Sequence, residues 1–426
     1  MQTFINPEKM KWPEIIQRPQ IDNTDLQNIV SGILQDIKRN GDEAVKKYAA
    51  QFDGAELNDF KISEDEIEEA LLFVQDELKD AIQLAKENIE KFHQSQVEQV
   101  KKIETSKGVI CWRKSVAIEK VGLYIPGGTA PLFSTWLMLA IPAMLAGCKE
   151  ICICTPPDKN CKISPVILYV AHLLGLKNIY KIGGVQAIAA LAYGTQTVSR
   201  VHKIFGPGNQ YVTAAKQIVN SEGIAIDMPA GPSEVAVYAD ETCIPEFVGA
   251  DLLSQAEHGI DSQVLLVASS QLIVDSVEKE IKLQLPFLSR KKIIEKAFNN
   301  SRFVVMQNTD DAFALLNEYA PEHMIIASDN AEVLSEKVIN AGSVFLGHYS
   351  SESAGDYASG TNHTLPTNGF AKAYSGISID SFVKKITFQN LSKEGVKNIG
   401  KAVEVMADAE GLDAHRNAMQ IRRAHF

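Results

Sequence analysis

The chain has 426 residues, of which 45% are apolar and 22% charged, and its formal net charge is −11 at pH 7. This length predicts two or more domains, and the acidic balance argues against a nucleic-acid partner, because binding a phosphate backbone requires clustered lysine and arginine. Six cysteines without a Cys-x-x-Cys pair argue against a disulfide framework or a zinc knuckle, so we expect a reducing compartment, the cytoplasm.

The N-terminal part of the chain is predicted to be helical. Residues 1–20 form an arm without the apolar stretch that a signal peptide requires. A helix is predicted over 24–50, with Thr24 or Asp25 as its cap. Its apolar face is marked at helical spacing by Leu26, Ile29, Ile33 and Ile37.

A second, longer helix is predicted over 63–95. Ser63, followed three residues later by Glu66, forms the capping-box pattern. The apolar positions that follow at helical spacing are Ile67, Leu71, Val74, Leu78 and Ile82. We therefore expect one face of this helix to pack on a core.

The longest apolar run, residues 131–148, is near the length of a membrane span. Pro142 and the hydroxyl groups of Ser134 and Thr135 interrupt it, and a glycine turn precedes it. We therefore expect a buried core helix of an α/β domain, with a membrane helix as the alternative.

From about residue 120 the pattern changes to alternating strands and helices. The predicted order is strand 150–157, helix 166–176, strand 178–184, helix 185–194, strand and turn 203–209, and helix 210–220. This alternation is typical of a mostly parallel sheet covered by helices.

The alternation then restarts after residues 225–240, which are predicted to be a rigid linker in which Ser233 could face a cleft. The second set is strand 262–270, helix 271–285, strand 302–308, helix 309–320, strand 324–328, helix 330–342 and strand 343–347. Two such sets predict two α/β domains that face each other, and a cleft between such domains is a common ligand site.

After residue 380 the sequence becomes helical in pattern and more polar. Its apolar stripe is too narrow to form a domain of its own. We therefore expect this tail to pack on another surface, such as that of a second subunit.

Three glycine turns, at 125–128, 182–186 and 205–209, are candidates for phosphate binding. The last two follow predicted strands and precede predicted helices, where backbone N–H groups can hold a phosphate. The alternative is a tight turn that needs glycine only for its backbone conformation. None has the Gly-x-Gly-x-x-Gly spacing, so the turns alone do not establish dinucleotide binding.

Two short segments carry side chains suited to chemistry. Gln255 and His258 are three residues apart on a predicted helix ended by Gly259, so they are expected to share one face, as metal ligands or as a helix end. Glu322 and His323 are an adjacent acid and base between a predicted helix and strand, suited to proton transfer. A surface-exposed pair is the alternative interpretation.

Two more segments contribute similar groups. The Ser/Gly-rich loop 350–367 holds Asp356 and His363, and a predicted helix holds Glu410 and His415. Oxygen and imidazole donors suited to zinc or a similar ion are provided by Gln255, His258, Asp356 and His415. These positions are scattered along the chain, so their spacing alone does not establish a metal site.

Together these stretches resemble the histidinol dehydrogenase family. The resemblance rests on the blocks "YIPGGTAPLFSTWLMLAIPAMLAGC", "GGVQAIAALAYGT", "KIFGPGNQYVTAAK", "IDMPAGPSEV", "DLLSQAEHG", "YAPEHM" and "EGLDAHRNA". They occur in the family's order from about residue 20 to the C-terminus. The resemblance implies a zinc-dependent homodimer that oxidises L-histidinol to L-histidine through L-histidinaldehyde with two NAD⁺.

The resemblance also implies roles for individual residues. The catalytic pair would be Glu322 and His323. The zinc ligands would be Gln255, His258, Asp356 and, from the partner subunit, His415. The substrate contacts would be Ser233, Gln255, His258, His323, Asp356, Glu410 and His415. The NAD contacts would be Tyr124, Gln186 and Asn209, within the three glycine turns.

We accordingly expect two Rossmann-like α/β domains facing a cleft, with helical extensions at both ends, in an intertwined homodimer. The expected division is an arm at 1–20, a larger domain at 21–123 plus 234–375, an NAD-contacting domain at 124–233 and a helical tail at 376–426 that packs on the partner subunit. The alternatives are a related zinc and NAD dehydrogenase for another small polar alcohol, a zinc hydrolase and a non-catalytic binding module.

Overall fold

The computed structural model describes residues 1–19, 24–127, 132–228 and 231–425. The predicted features at Gln20, Gly128, Pro131, Pro229 and Ala230 lie outside the described residues, as does the side chain of Thr24, one of the two predicted helix caps. Within the described ranges the fold is mixed α/β, with two parallel sheets and one antiparallel sheet.

The strands in chain order are β1 Gln2–Ile5, β2 Lys102–Ser106, β3 Val109–Ala117, β4 Lys120–Tyr124, β5 Glu150–Thr155, β6 Ile179–Lys181, β7 Lys203–Phe205, β8 Ala225–Ile226, β9 Glu234–Ala239, β10 Gln263–Ala268, β11 Arg302–Val305, β12 His323–Ala327, β13 Ser343–Leu346 and β14 Val383–Leu391.

The helices are α1 Trp12–Ile15, α2 Thr24–Asn40, α3 Asp42–Tyr48, α4 Glu64–Leu71, α5 Asp76–Gln94, α6 Phe133–Ala146, α7 Pro165–Leu173, α8 Gly184–Tyr193, α9 Gln210–Ser221, α10 Pro245–Ala256, α11 Gln271–Gln284, α12 Lys291–Ala297, α13 Thr309–Tyr319, α14 Ala331–Ser335, α15 Glu352–Tyr357, α16 Lys393–Ala409 and α17 Asp413–Ala424. The strand and helix alternation predicted between 150 and 347 is confirmed, although α14 is shorter than predicted.

The two parallel sheets share one topology. The five-stranded sheet has the order β6-β5-β4-β7-β8, so the strand order reverses between β4 and β7. The six-stranded sheet has the order β1-β11-β10-β9-β12-β13, with the same reversal between β9 and β12 and β1 added at one edge. This is the doubly wound arrangement, in which a reversal opens a crevice at the strand ends.

The central strands are buried on both faces, which explains their nearly continuous apolar sequences. Every residue of β9, β10 and β12 is buried. The first of these strands lies in the segment 225–240 that was predicted to be a linker. That prediction is wrong for its second half, because "EVAVYA" is a core strand rather than a connection.

The apolar run at 131–148 forms α6, a helix with an almost entirely buried middle, as expected for a core helix. Pro142 lies within it and is itself buried. Among the described residues, we find no helix with the length and apolar character needed to cross a membrane.

The predicted N-terminal helices are each divided in two. The chain leaves α2 at Gly41, whose φ of 55° is unfavourable for other residues, and continues as α3. In α2, Ile29 is exposed and Val30 is buried in its place. The capping box of Ser63 and Glu66 is confirmed at the start of α4, although a break precedes α5.

These N-terminal helices pack on the five-stranded sheet. Leu26 and Val45 share a core with Ile188 and Ile204, and Ile67 and Ile82 share another with α6 and β5. The expected division instead grouped the helices with the six-stranded sheet. The packing differs because the apolar face that a helix presents does not specify which sheet will cover it. The remaining domain boundaries stay a prediction.

The tail is less helical than expected. β14 pairs in antiparallel register with β3, which in turn pairs with β2. The partner strand lies far back in the chain, so no local pattern marked this pairing. Among the described residues, α17 buries none of its side chains, which agrees with a tail that has little core of its own.

Candidate functional site

A cleft with a volume of about 1160 Å³ lies between the two parallel sheets. One wall follows the carboxyl ends of β4 and β7 and includes Pro126 and Asn209. The other wall lies at the amino ends of β9 and β10 and includes Ser233 and His258. The cleft thus lies between the carboxyl ends of the strands at the reversal of the first sheet and the amino ends of the strands of the second sheet.

Glu322 and His323 lie at the amino end of β12, next to the amino end of β9. Helix α13 ends at Tyr319, Ala320 adopts a left-handed conformation with φ of 51°, and the strand begins at His323. Both side chains are buried. The backbone N–H of Glu234 donates to Glu322 Oε2 at 2.9 Å. The pair is therefore a buried one, and the surface-exposed alternative is wrong.

Burial and neighbouring charges shift both of these groups. Burial raises the pKa of the Glu322 carboxyl to about 7, against the opposing charge of His323. Burial lowers the pKa of the His323 imidazole, but the charges of Glu352, Glu322 and Asp356 outweigh it and raise that pKa to about 10. Several carboxylates around one imidazole form a pocket that favours a cation.

Gln255 and His258 lie at the end of α10, although only Gln255 lies within the helix. Gln255 is in the last turn and fully buried, whereas His258 follows the end of the helix and has an exposed edge. The expectation that both share a helix ended by Gly259 is therefore wrong, because the helix ends at Ala256. Burial by the surrounding protein lowers the pKa of His258, which favours the neutral ring that binds metals.

Asp356 lies on α15, inside the segment that was expected to be an irregular loop. Ser351 caps this short helix by accepting from the Ala354 N–H. The donor atoms of His258, Glu352 and Asp356 lie within 4.8 Å of one another. His363 does not join them: its Nδ1 faces the Asp356 carbonyl at 2.9 Å and its Nε2 faces Thr135 Oγ1 at 3.1 Å.

The donor set fits a divalent cation such as zinc. Asp356 Oδ1 and His323 Nε2 are buried, and neither has a hydrogen-bond partner among the residues that the structure describes. They are 3.6 Å apart, beyond a hydrogen bond. Imidazole and carboxylate donors close together, with an unpartnered carboxylate oxygen, are what a zinc site requires.

Glu410 and His415 are exposed and do not reach this cluster within one chain. Glu410 follows α16, and His415 lies in the first turn of α17. In the part of the chain that the structure describes, the main packing partners of α16 are α17, β14 and β2. One chain thus assembles Gln255, His258, Asp356, Glu322 and His323, but not these two residues.

Of the three predicted nucleotide contacts, Asn209 lines the cleft, Tyr124 ends β4, and Gln186 lies in α8, which follows β6. Tyr124 and Gln186 are buried, and the Tyr124 hydroxyl accepts from the Gly184 N–H at 3.1 Å. Asn209 lines the cleft and caps α9, accepting from two backbone N–H groups. Gln186 also donates to Asp53 at 3.1 Å. Tyr124 and Asn209 therefore sit at the strand reversal, where such sheets bind ligands.

Sequence reasoning did not identify Glu352, Glu234 or Arg18 as part of the site. Glu352 and Asp356 are four residues apart after a capping serine, a helical signal that the Ser/Gly-rich composition obscured. Arg18 binds both carboxylate oxygens of Glu234, at 2.5 and 2.8 Å, and stacks on Tyr319. No local pattern links these three residues, because they come from distant parts of the chain.

The chain is similar over its whole length to histidinol dehydrogenases. The histidinol dehydrogenase family model matches residues 16–423. A histidinol dehydrogenase from Bacteroides fragilis is 57% identical over 98% of this chain and 97% of its own length. One from Haemophilus influenzae is 49% identical over 100% of this chain and 99% of its own.

A solved structure agrees with these sequence relatives. The crystal structure of histidinol dehydrogenase from Elizabethkingia anophelis has a TM-score of 0.98 and 57% sequence identity to this chain. The match covers 99% of this chain and 98% of that one.

Proposed function

The chain belongs to the histidinol dehydrogenase family, and from that premise we propose that this NAD-dependent oxidoreductase converts L-histidinol to L-histidine through L-histidinaldehyde. An alcohol becomes an acid by losing four electrons, so the conversion consumes two NAD⁺, each accepting one hydride. The observation that carries the proposal is a cluster in which His323 lies 3.8 Å from Glu322, 3.6 Å from Asp356 and 3.1 Å from the Gln255 amide, beside His258 at the cleft wall.

We propose that zinc is held by Gln255, His258 and Asp356, together with His415 of the partner subunit. When bound, zinc supplies a positive charge that orients the imidazole and amine of the substrate, and NAD⁺ supplies the hydride acceptor. Glu410 of the partner subunit would pair with the cationic end of the substrate, and Ser233 would contact it from the cleft wall. These contacts favour a small cationic alcohol over a neutral one.

His323 and Glu322 divide the proton transfers in this proposal. The raised pKa of His323 arises from carboxylates that include the proposed ligand Asp356, and the charge of a bound cation would offset it. In that state His323 accepts the hydroxyl proton of the alcohol as its carbon loses a hydride. The aldehyde must then add water, because only its hydrate can lose a second hydride. Glu322 accepts the proton of that attacking water. The buried position of both groups keeps bulk water from the reacting carbon and protects the aldehyde.

The nucleotide is proposed to bind at the first wall of the cleft, at Tyr124, Gln186 and Asn209. The N-terminus of α9 begins beside Asn209, and the positive end of a helix dipole favours a phosphate. An intertwined homodimer in the cytoplasm completes the proposal. The exposed Glu410 and His415 support the dimer, and six free cysteines agree with a reducing compartment.

The first test is metal removal and restoration. We expect a chelator to abolish NAD⁺ reduction with L-histidinol, and stoichiometric zinc to restore it. A panel of small polar alcohols should show turnover only with histidinol, measured at the nicotinamide absorbance band. Asp356→Asn should resist restoration by zinc. Equal turnover of another alcohol would favour a related dehydrogenase, and metal-dependent hydrolysis without NAD⁺ reduction would favour a hydrolase.

A further inference from the structure

Glu352 is a buried carboxyl group to which the proposed reaction gives no role. Its side chain is 1% exposed. Across the described ranges, its ion-pair partner is His323, with 3.9 Å between His323 Nδ1 and Glu352 Oε1, and no lysine or arginine pairs with it. A carboxyl group is rarely retained in such a place without a specific partner.

The fold holds Glu352 against the end of α10. Glu352 begins α15 next to its capping Ser351, so it shares a face with Asp356 one turn later. A side chain at Gly355 would approach the Phe345 ring to 2.5 Å, so α15 is pressed closely on β13. This close packing leaves Glu352 little freedom to move away from α10.

The partner of Glu352 is the amide group of Gln255. One of the two amide orientations satisfies both ends of the group. In that orientation the nitrogen donates to both Glu352 oxygens, at 2.7 and 3.1 Å. The reverse orientation places the amide oxygen 3.1 Å from His323 Nδ1 but also against two carboxylate oxygens, which is repulsive. Glu352 therefore selects the orientation in which the oxygen of Gln255 points away from it.

We propose that Glu352 is a positioning residue that presents the amide oxygen of Gln255, rather than its nitrogen, to the cation. The inference rests on the proposed zinc site and deepens it. An amide nitrogen is only a donor and cannot bind a cation, so the orientation decides whether Gln255 is a ligand at all. A carboxylate that accepts from the amide also polarises it and strengthens its oxygen as a ligand.

The alternative role for Glu352 is direct ligation of the cation, since its donor atom lies within 4.8 Å of those of His258 and Asp356. Direct ligation would require at least one carboxylate oxygen to leave the Gln255 amide. The two roles make opposite predictions about additivity. A residue that acts through Gln255 has no effect once Gln255 is removed, whereas a ligand keeps its own contribution.

The experiment is a double-mutant cycle on the full-length chain, with the zinc dissociation constant measured by chelator competition. We expect Glu352→Gln to weaken zinc binding about 10- to 100-fold, as removal of such supporting groups does. In a Gln255→Ala background, the same change should alter zinc affinity by less than about twofold. Cobalt substituted for zinc should show an altered visible spectrum in Glu352→Gln, because a ligand is misdirected.

The matched control is Glu257→Gln, which removes the same charge next to His258, at a side chain that makes no hydrogen bond to Gln255 among the described residues. It should leave zinc affinity and the cobalt spectrum unchanged. Unchanged NAD⁺ affinity in Glu352→Gln would show that the variant is folded. Additive losses in both backgrounds, or an unchanged spectrum, would overturn the inference alone. If the unsubstituted chain binds no zinc, the proposed function fails together with it.

Discussion

Glu322 illustrates how burial adjusts a single residue to its proposed task. A carboxyl group with its ordinary pKa is a weak base, whereas one with a pKa near neutrality is a better match for proton transfer at physiological pH. The Glu322 pKa of about 7 results mainly from burial. The N–H of Glu234 holds one of its oxygens, leaving the other for a water molecule.

The pH dependence of aldehyde oxidation follows from this pKa. Below about pH 7 Glu322 is mostly protonated and cannot accept a proton, so the single-turnover rate with histidinaldehyde should rise through pH 7 and then level. Glu322→Gln should lower this rate and remove the rise, with a smaller loss for histidinol oxidation to the aldehyde. His323→Asn should slow both steps. Equal losses for Glu322→Gln with both substrates would refute the division of roles.

The pairing of Arg18 with Glu234 predicts a large effect on stability. Glu234 is 2% exposed, and its backbone N–H positions Glu322. Arg18→Leu would leave this carboxylate buried without a cation and should lower the free energy of unfolding by about 3–5 kcal/mol in urea titrations. Adding Glu234→Gln should restore part of that loss. If the double variant is no more stable than Arg18→Leu, the ion pair is not the cause.

At the scale of elements, the turn between β7 and α9 is unusually constrained. Gly206 has a φ of 123°, and a Cβ there would lie 2.0 Å from the Tyr124 carbonyl oxygen. Beside it, the buried pair of Lys216 and Asp227 binds the turn from both sides, through the Gly206 carbonyl and N–H. The proposed phosphate-binding turn is therefore held by the core rather than by its own sequence.

Gly206→Ala should therefore harm both stability and nucleotide binding. We expect an unfolding free energy lower by at least about 3 kcal/mol and a raised Kd for NAD⁺, because the backbone must shift. The control is Gly223→Ala just after α9, where φ is 97° but no atom lies within 4 Å of the added carbon. It should cost about 1 kcal/mol and leave NAD⁺ binding unchanged. Equal effects of the two changes would contradict the steric argument.

Another element, α15, shows why the site was only partly predictable. Its segment is rich in serine and glycine, which favours a loop in isolation. Packing of Gly355 on Phe345 stabilises a helix there and brings Glu352 beside Asp356. The sequence indicated the carboxylate of Asp356 but not the geometry that supports it.

At the scale of the whole molecule, the two parallel sheets contribute opposite ends of their strands to the proposed site. The first sheet presents the carboxyl ends of β4 and β7 to the cleft, as expected for a doubly wound sheet. The second presents its amino ends, where Ser233 and His323 lie. At its carboxyl ends, Ser328 donates to Asp240 and Thr242 accepts from the Asp329 N–H, so polar side chains occupy that edge.

A dimer with shared sites predicts complementation between inactive variants. His258→Asn and His415→Asn should each be inactive, because each removes one proposed ligand from every site. In dimers reassembled from an equal mixture, half are mixed and each mixed dimer has one intact site, so about a quarter of the activity should return. Mixing His258→Asn with Asp356→Asn is the control and should restore nothing. Absence of recovery in the first mixture would place both ligands on one chain.

The sequence by itself determined the alternation of strands and helices, the capping box at Ser63, the core helix α6 and, through the resemblance, the family. These features depend on local periodicity, glycine turns and short motifs, which act within a few residues. Glu322 and His323 were identifiable for the same reason, since both lie in one short motif.

Only the tertiary structure decided the pairing of β14 with β3, the packing of the N-terminal helices on the five-stranded sheet, and the contact of Glu352 with Gln255. Each of these joins segments that are far apart in the chain. The free energy of such contacts arises only when packing brings the segments together, so it leaves no periodic trace in either segment.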